Sequence, residues 1–131
     1  MRGFALILLM FATGADAQFR GFTLIPLADT ADPISRADHL VRCAALYQYL
    51  SVFDGAHRQE WSEKSANTKT RALDAAAKEM PARDGEDLLE RINMLVVARA
   101  NDYVATVFDE AGDPQIVEKD LAVCEAGEGI S

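Results

Sequence analysis

The chain has 131 residues, with 13 Lys or Arg against 21 Asp or Glu, and its formal net charge at pH 7 is −8. Hydrophobic residues make up 50 % of it, which is enough apolar material for one packed core. Nucleic acids and anionic membranes attract clustered Lys and Arg, so the acidic composition argues against either as a partner.

Residues 1–17 have the pattern of a cleavable secretory signal. Arg2 precedes the apolar run 3–13, and residues 15–17 (ADA) form an A-x-A cleavage site. The apolar run is shorter than the roughly 20 residues that a membrane-spanning helix needs. We therefore expect cleavage after residue 17, a periplasmic or secreted protein, and no membrane span in its mature form.

The segment 18–31 (QFRGFTLIPLADTA) has no sustained helical period and contains Gly21 and Pro26. We expect an extended arm. Its apolar residues, which include Phe19 and Phe22, either pack across the folded domain or are presented to another chain.

The next segment, 33–54, is predicted to be the central helix. Two starts compete for it: an N-cap at Asp32 followed by proline, and a capping-box-like pair of Ser35 and Asp38. Apolar residues cover two adjoining faces, so this helix is expected to contact more than one neighbour. Gly55 ends it.

Three further helices are predicted from apolar periodicity and from the glycines and prolines between the segments. They cover residues 57–80, 85–110 and 114–126, and the tail 127–131 is expected to be disordered. No strand pattern or internal repeat is visible in the sequence. The connections are short, which favours antiparallel packing of neighbouring helices.

The chain has two cysteines, and in an oxidising compartment they are expected to pair. Cys43 lies in the middle of the first predicted helix and Cys124 in the last one. The bridge is expected to stabilise the fold by about 4 kcal/mol. The predicted fold class is therefore all-α: a single-domain bundle of about four helices over residues 32–126, with an extended N-terminal arm and one disulfide.

The negative charge is unevenly distributed along the sequence. Residues 18–83 contain nine basic and eight acidic residues, a net charge of +1, whereas residues 84–131 contain three basic and twelve acidic residues, a net charge of −9. This acidic half is compatible with a basic protein partner, or with a role in solubility alone.

No pattern in the sequence indicates catalysis, a metal site or a cofactor. His39 and His57 are interpreted as surface residues, and once the cysteines pair no free thiol remains as a nucleophile. The acidic turn at residues 109–113 lacks the alternating ligand positions of an EF-hand loop. We therefore expect a protein that is not an enzyme and that holds no cofactor or metal.

Two aromatic residues are candidates for display on the surface. Tyr49 is predicted to point about 180° away from the Leu40 face of its helix, and Trp61 lies in a polar run. Together with the acidic turn and the arm, these residues form the predicted partner-binding set. Its members are Tyr49, Trp61, Asp109, Glu110, Asp113, Phe19 and Phe22.

The chain is similar to small, single-disulfide helical proteins exported by bacteria. The similarity consists of the signal sequence, the cysteines on the first and last helices, and the lack of a catalytic motif. That loose class includes acid-stress chaperones and immunity proteins, and we assign no family within it. The leading hypothesis is an exported, non-enzymatic interaction protein of the inhibitor or immunity type, with an acidic surface for a basic partner. The alternatives are a periplasmic stress chaperone and an accessory subunit of an envelope complex, docked through the N-terminal arm.

Overall fold

The computed structural model describes residues 22–30 and 34–128. These residues form four α-helices and two short 3-10 turns, at Leu27–Asp29 and Gly55–His57, and they contain no strand. The predicted all-α bundle of four helices is confirmed. In chain order its helices are α1 (Arg36–Phe53), α2 (Arg58–Glu79), α3 (Gly85–Phe108) and α4 (Ile116–Glu128).

The helix ends follow local capping chemistry. Ser35 is the N-cap of α1, and its side-chain oxygen accepts a hydrogen bond from the Asp38 amide at 3.1 Å. The second of the two predicted starts is therefore the one used. Asp84 caps α3 through the Glu86 amide. Helix α4 ends at Glu128, two residues beyond the predicted boundary.

Helix α1 is the centre of the bundle and packs against all three other helices. This explains the apolar residues on several of its faces, because a helix with neighbours on most sides must bury most sides. Its middle turns are fully buried, from Ala44 to Tyr47. Helix α3 adds Leu88, Ile92, Val96 and Tyr103 to the core, and α4 adds Ile116.

The disulfide between Cys43 and Cys124 is present, as predicted, and it joins the middle of α1 to α4. Its two Cα atoms lie 5.6 Å apart, and both residues are buried. The bridge spans 81 positions in sequence, so it fixes the last helix against the first.

The described part of the arm, residues 22–30, packs along α3 and α4. Its backbone is held by buried side chains of those two helices, which accept hydrogen bonds from three arm amides. The bonds run from Phe22, Leu24 and Leu27 to Asp102, Thr106 and Asp120, at 2.7, 2.8 and 2.8 Å respectively. Since Leu27 is also buried, this stretch of the arm is part of the folded domain.

The turn between α3 and α4 brings two backbone segments very close together. The Asp113 amide donates to the Thr106 carbonyl at 2.8 Å, and Gly112 lies against the same carbonyl. A Cβ atom at Gly112 would stand 2.0 Å from that oxygen. Only glycine fits this position without movement of the backbone.

Several predicted features lie outside the described residues. These are the signal sequence at residues 1–17, the start of the arm with Phe19, the alternative helix start at Asp32, and residues 129–131 of the tail. Among the residues that the structure describes, no helix is long and apolar enough to cross a membrane.

Candidate protein-binding face

The outer face of α3 carries a row of mostly apolar side chains, three of which are more than half exposed. We call this row the α3 stripe. Met94, Val97 and Phe108 are 66 %, 52 % and 64 % exposed, Asn101 is exposed, and Val104 is partly buried. The five positions alternate in spacing between three and four residues, which places them along one side of the helix.

The α3 stripe is distinct from the core face of the same helix. Ile92, Val96 and Tyr103 point into the bundle, and Met94 points about 160° to 180° away from them at 100° per residue. A surface helix normally carries polar and charged residues on its outer side. Here both sides are apolar, and only one of them is covered.

Charge is absent from the stripe itself. Between Ile92 and Phe108 the sequence has two charged residues, Arg99 and Asp102. They pair with each other, with Arg99 Nη1 2.7 Å from Asp102 Oδ2, and Asp102 is buried beneath the arm. The outer face is therefore uncharged over about 21 Å, the rise of fourteen helical residues.

An aromatic ladder connects the end of the stripe to the core. The rings of Phe53 and Phe108 lie 5.7 Å apart, and Phe53 stacks on Tyr49 with ring centroids 4.5 Å apart. Tyr49 in turn contacts Tyr103, whose side chain is fully buried. Phe53 is 52 % exposed, so it extends the apolar surface from α3 onto the end of α1.

Acidic residues flank the stripe at both ends. Glu86, Asp87 and Glu90 lie at the start of α3, and at 100° per residue they share the side of the helix that carries Met94. Arg83 forms an ion pair with Asp87, with Nη1 2.8 Å from Oδ2. Arg91 is exposed nearby, so this end carries both signs with acids in excess.

The second acidic end follows directly after Phe108. Asp109 ends α3 and Glu110 is exposed in the turn. Asp113 accepts hydrogen bonds from the Gln115 amide and the Lys119 ammonium, at 2.9 and 2.8 Å. The contact with Lys119 is the main cause of the lowered pKa of Asp113. Of the three predicted acids in this turn, Asp113 thus has a structural role.

The prediction that Tyr49 is displayed for a partner is wrong. Tyr49 is 8 % exposed, and its ring lies between Phe53 and Tyr103. The two apolar faces predicted for α1 left the side opposite Leu40 exposed, whereas Tyr103 of α3 packs against Tyr49 on that side. The side chain that reaches the surface at this place is Phe53, one helical turn later.

Trp61, the other predicted aromatic anchor, is partly buried and engaged within the domain. Its ring stacks on Tyr47 at 5.9 Å, and its indole N–H donates to Asp54 Oδ2 at 2.9 Å. Lys64 lies over its ring, with the ammonium 5.4 Å from the ring centre. These contacts connect the start of α2 to the end of α1.

The acidic half does not form one continuous surface. Asp102 and Asp120 are buried and hold the arm, and Glu125 forms an ion pair with Lys64 on α2, with 2.7 Å between Oε1 and Nζ. Within residues 84–128, the exposed acids lie mainly at the two ends of α3. The structure therefore places an uncharged stripe between two acidic ends.

Of the predicted arm residues, Phe22 is 80 % exposed although its amide is bonded to Asp102. Ile25 is exposed as well. Other side chains of the arm face the bundle, with Leu24 packed against the core and Leu27 buried.

A buried ion pair that the sequence analysis missed links α1, α3 and α4. Asp120 Oδ2 accepts from Arg42 Nη2 at 2.5 Å and from the Tyr103 hydroxyl at 2.6 Å. Burial raises the pKa of Tyr103 far above its usual value, so the hydroxyl stays protonated and donates. Burial opposes the charge of Arg42, but Tyr103 and Asp120 outweigh it and its pKa is raised. Arg42 Nη2 also donates to the Ile25 carbonyl.

Both histidines were interpreted as surface residues, and this is correct for His57 only. His57 is exposed, with Nδ1 3.1 Å from Asp54 Oδ2. His39 is half-buried beside the disulfide, in the wall of a cavity of about 30 Å³ that has room for a water molecule but not for a substrate. Burial first, and then Arg36 and Arg42, lower the pKa of His39.

Within the described ranges, no group of three or more His, Cys, Asp or Glu side chains is arranged to hold a metal ion. Comparisons with protein-family models, with curated proteins and with solved structures find no match to this chain.

Proposed function

We propose that this is an exported, non-enzymatic interaction protein that binds a basic protein partner through the outer face of α3. The observation that carries this proposal is the α3 stripe, an uncharged apolar row flanked by acidic residues. The export part of the proposal rests on the signal pattern of residues 1–17 and is supported by the disulfide, which oxidising compartments favour.

The size of the stripe supports a binding role. With Phe53, it includes four large apolar side chains that are each more than half exposed, and a contiguous apolar patch on the surface of a monomer is often functional. Exposing it to water is unfavourable, and a partner that covers it gains about 25 cal/mol per Å² before the costs of association.

The composition of the face supports a protein as its ligand. Interface cores are depleted of charge and enriched in aromatic residues and Met, with charges at the rim. Met94, Phe108 and Phe53 match the core in this description, and Glu90 and Glu110 match the rim. The acidic rim speeds the approach of a basic protein and makes the binding sensitive to salt.

The test is affinity capture by the oxidised protein from its own exported fraction, at low and at physiological salt. Three baits are compared: the wild type, Val97→Asp in the stripe, and Asn67→Asp on the exposed side of α2. We expect one basic partner that is retained by the wild type and by Asn67→Asp, lost by Val97→Asp, and weakened as salt rises. A partner that binds all three baits equally, or no partner at either salt, contradicts the proposal.

A second candidate function, an accessory subunit docked through the arm, is favoured by the exposure of Phe22 and Ile25. Deleting the arm is an unsuitable test, because the arm amides are bonded to buried side chains. The double variant Phe22→Ser/Ile25→Ser leaves those amides in place. The arm is identified as the docking element if this variant no longer co-purifies with a membrane complex. Capture of a partner through α3 should be unchanged in the same variant.

A further inference from the structure

We propose that the α3 stripe binds one amphipathic helix of the partner, and this inference rests on the proposed function. The bound helix has an apolar side along its length and basic residues at both ends. This goes beyond a basic partner in general, because it specifies the secondary structure, length and charge pattern of the bound segment. Three observations carry it: the spacing of the stripe, the position of Asn101, and the acids at its ends.

The spacing of the stripe is that of helix-to-helix packing. Met94, Val97, Asn101, Val104 and Phe108 are separated by three, four, three and four residues, which is the a/d pattern that receives side chains of a facing helix. A strand places its side chains at a period of two and cannot match this pattern over several turns. The uncharged length of about 21 Å accommodates about fourteen residues of a helix.

Asn101 lies at the centre of the stripe, with two apolar positions on either side. A polar residue at one a position of a helical seam sets the register, because its amide must find a hydrogen-bonding partner when it is covered. The bound helix is therefore expected to present one uncharged polar side chain opposite Asn101. Apolar residues are expected opposite Val97 and Val104.

The charges exclude a second copy of this chain as the favoured occupant. If two copies of α3 pair antiparallel, Glu90 of one lies near Asp109 and Glu110 of the other. If they pair parallel, Glu90 lies near Glu90 and Glu110 near Glu110. Both arrangements bring acidic ends together, in addition to the net charge of −8 on each chain. Basic residues at both ends of the bound helix complement the acids in either orientation.

The probes for this proposal are three synthetic peptides of about 18 residues, held helical by side-chain staples, since a helix that spans the stripe and both ends needs this length. The first has a leucine stripe with one central Asn and Lys in its first and last turns. The second replaces those Lys with Glu. The third keeps the composition of the first but scrambles the stripe. Fluorescence anisotropy gives the Kd of each for the oxidised protein at low and physiological salt.

We expect the Lys-ended peptide to bind at least about tenfold more tightly than the Glu-ended one, as expected for several rim charge pairs. The scrambled peptide is expected not to bind. The double substitution Glu86→Lys/Glu90→Lys in the protein is expected to raise the Kd for the Lys-ended peptide about tenfold. Glu60→Lys on α2 is expected to leave this Kd unchanged.

Equal binding of the Lys-ended and Glu-ended peptides overturns the charge pattern, and equal binding of the scrambled peptide overturns the binding of a helix. A dimer of the protein that dissociates on Val97→Asp overturns the choice of occupant. These results are distinguishable from failure of the proposed function. If Val97→Asp still abolishes capture of the native partner, the binding face stands and only the description of its ligand is wrong.

Discussion

Arg42 on α1 and Asp120 on α4 form an ion pair inside the bundle, with Arg42 Nη2 2.5 Å from Asp120 Oδ2. Arg42 precedes Cys43, and Asp120 lies one helical turn before Cys124, so the ion pair and the disulfide join the same two helices side by side. The Asp120 side chain is fully buried and also accepts from the Leu27 amide. One carboxylate therefore connects the arm with three helices.

We predict that Asp120→Asn lowers the free energy of unfolding by about 3 kcal/mol, because it leaves the buried Arg42 guanidinium without its counter-charge. Urea unfolding followed by circular dichroism measures this. The matched control is Asp87→Asn, which breaks an ion pair whose two side chains are about half exposed and should cost less than about 1 kcal/mol. Equal effects of the two substitutions would show that the buried pair contributes no more than a surface one.

Gly112→Ala is predicted to destabilise the protein by about 2 to 3 kcal/mol. The added methyl group meets the Thr106 carbonyl oxygen, and the turn between α3 and α4 must open to admit it. Gly85→Ala is the control, since open space surrounds that position and alanine favours the first turn of a helix. It should stabilise by about 0.5 to 1 kcal/mol. A thermal melt in which both variants shift in the same direction contradicts this description of the turn.

Removing the disulfide with Cys43→Ala/Cys124→Ala is predicted to lower the free energy of unfolding by about 4 kcal/mol, because the unfolded chain regains the freedom of an 81-position loop. Denaturant titration of the variant and of the oxidised wild type measures the difference. The Arg42–Asp120 pair remains in the variant, so we expect a cooperative transition at lower denaturant. A midpoint within error of the wild type would contradict the predicted contribution.

His39 is predicted to make the protein less stable as the pH falls. Its pKa in the folded state lies below the usual 6.5, because burial and then the neighbouring Arg36 and Arg42 disfavour the imidazolium. The unfolded state therefore binds a proton at a higher pH than the folded state. The free energy of unfolding declines as the pH drops through 6.5, and the loss is complete below the folded pKa. Stability curves from pH 7.5 to about 4.5 should show this decline in the wild type and a smaller one in His39→Gln.

Much of the fold could be predicted from sequence, because its signals are local. Gly55 and Pro81 mark the ends of α1 and α2, Ser35 caps α1, and apolar periodicity identifies each helix. Two cysteines allow one intramolecular pairing, so the long-range contact between Cys43 and Cys124 was also predictable.

The buried polar contacts and the exposure of the α3 stripe depend on which helices are neighbours, and the local sequence pattern does not contain this information. Tyr49, for example, is buried because its ring packs against Tyr103 of α3. The Arg42–Asp120 pair had a usable signal: once the cysteines are paired, Asp120 lies one turn from the bridge and Arg42 lies beside it.

The α3 stripe was hidden in the sequence because α3 is apolar on two sides. Periodicity alone does not distinguish the side with Ile92, Val96 and Tyr103, which is buried, from the side with Met94, which is exposed. Met94, Val97, Asn101, Val104 and Phe108 are separated by steps of three and four residues, and this spacing is the signal that identifies them as a second face.

The most direct test of the proposed binding face is site-specific photo-crosslinking in the cells that produce the protein. A photoreactive residue is placed at Val97 in the stripe and, in a separate variant, at Asn67 on the exposed side of α2. We expect one adduct with a single basic protein at Val97 and none at Asn67, and we expect loss of the adduct when Met94→Asp is added. No adduct at Val97, equal labelling from both positions, or an adduct with a second copy of this chain would contradict it.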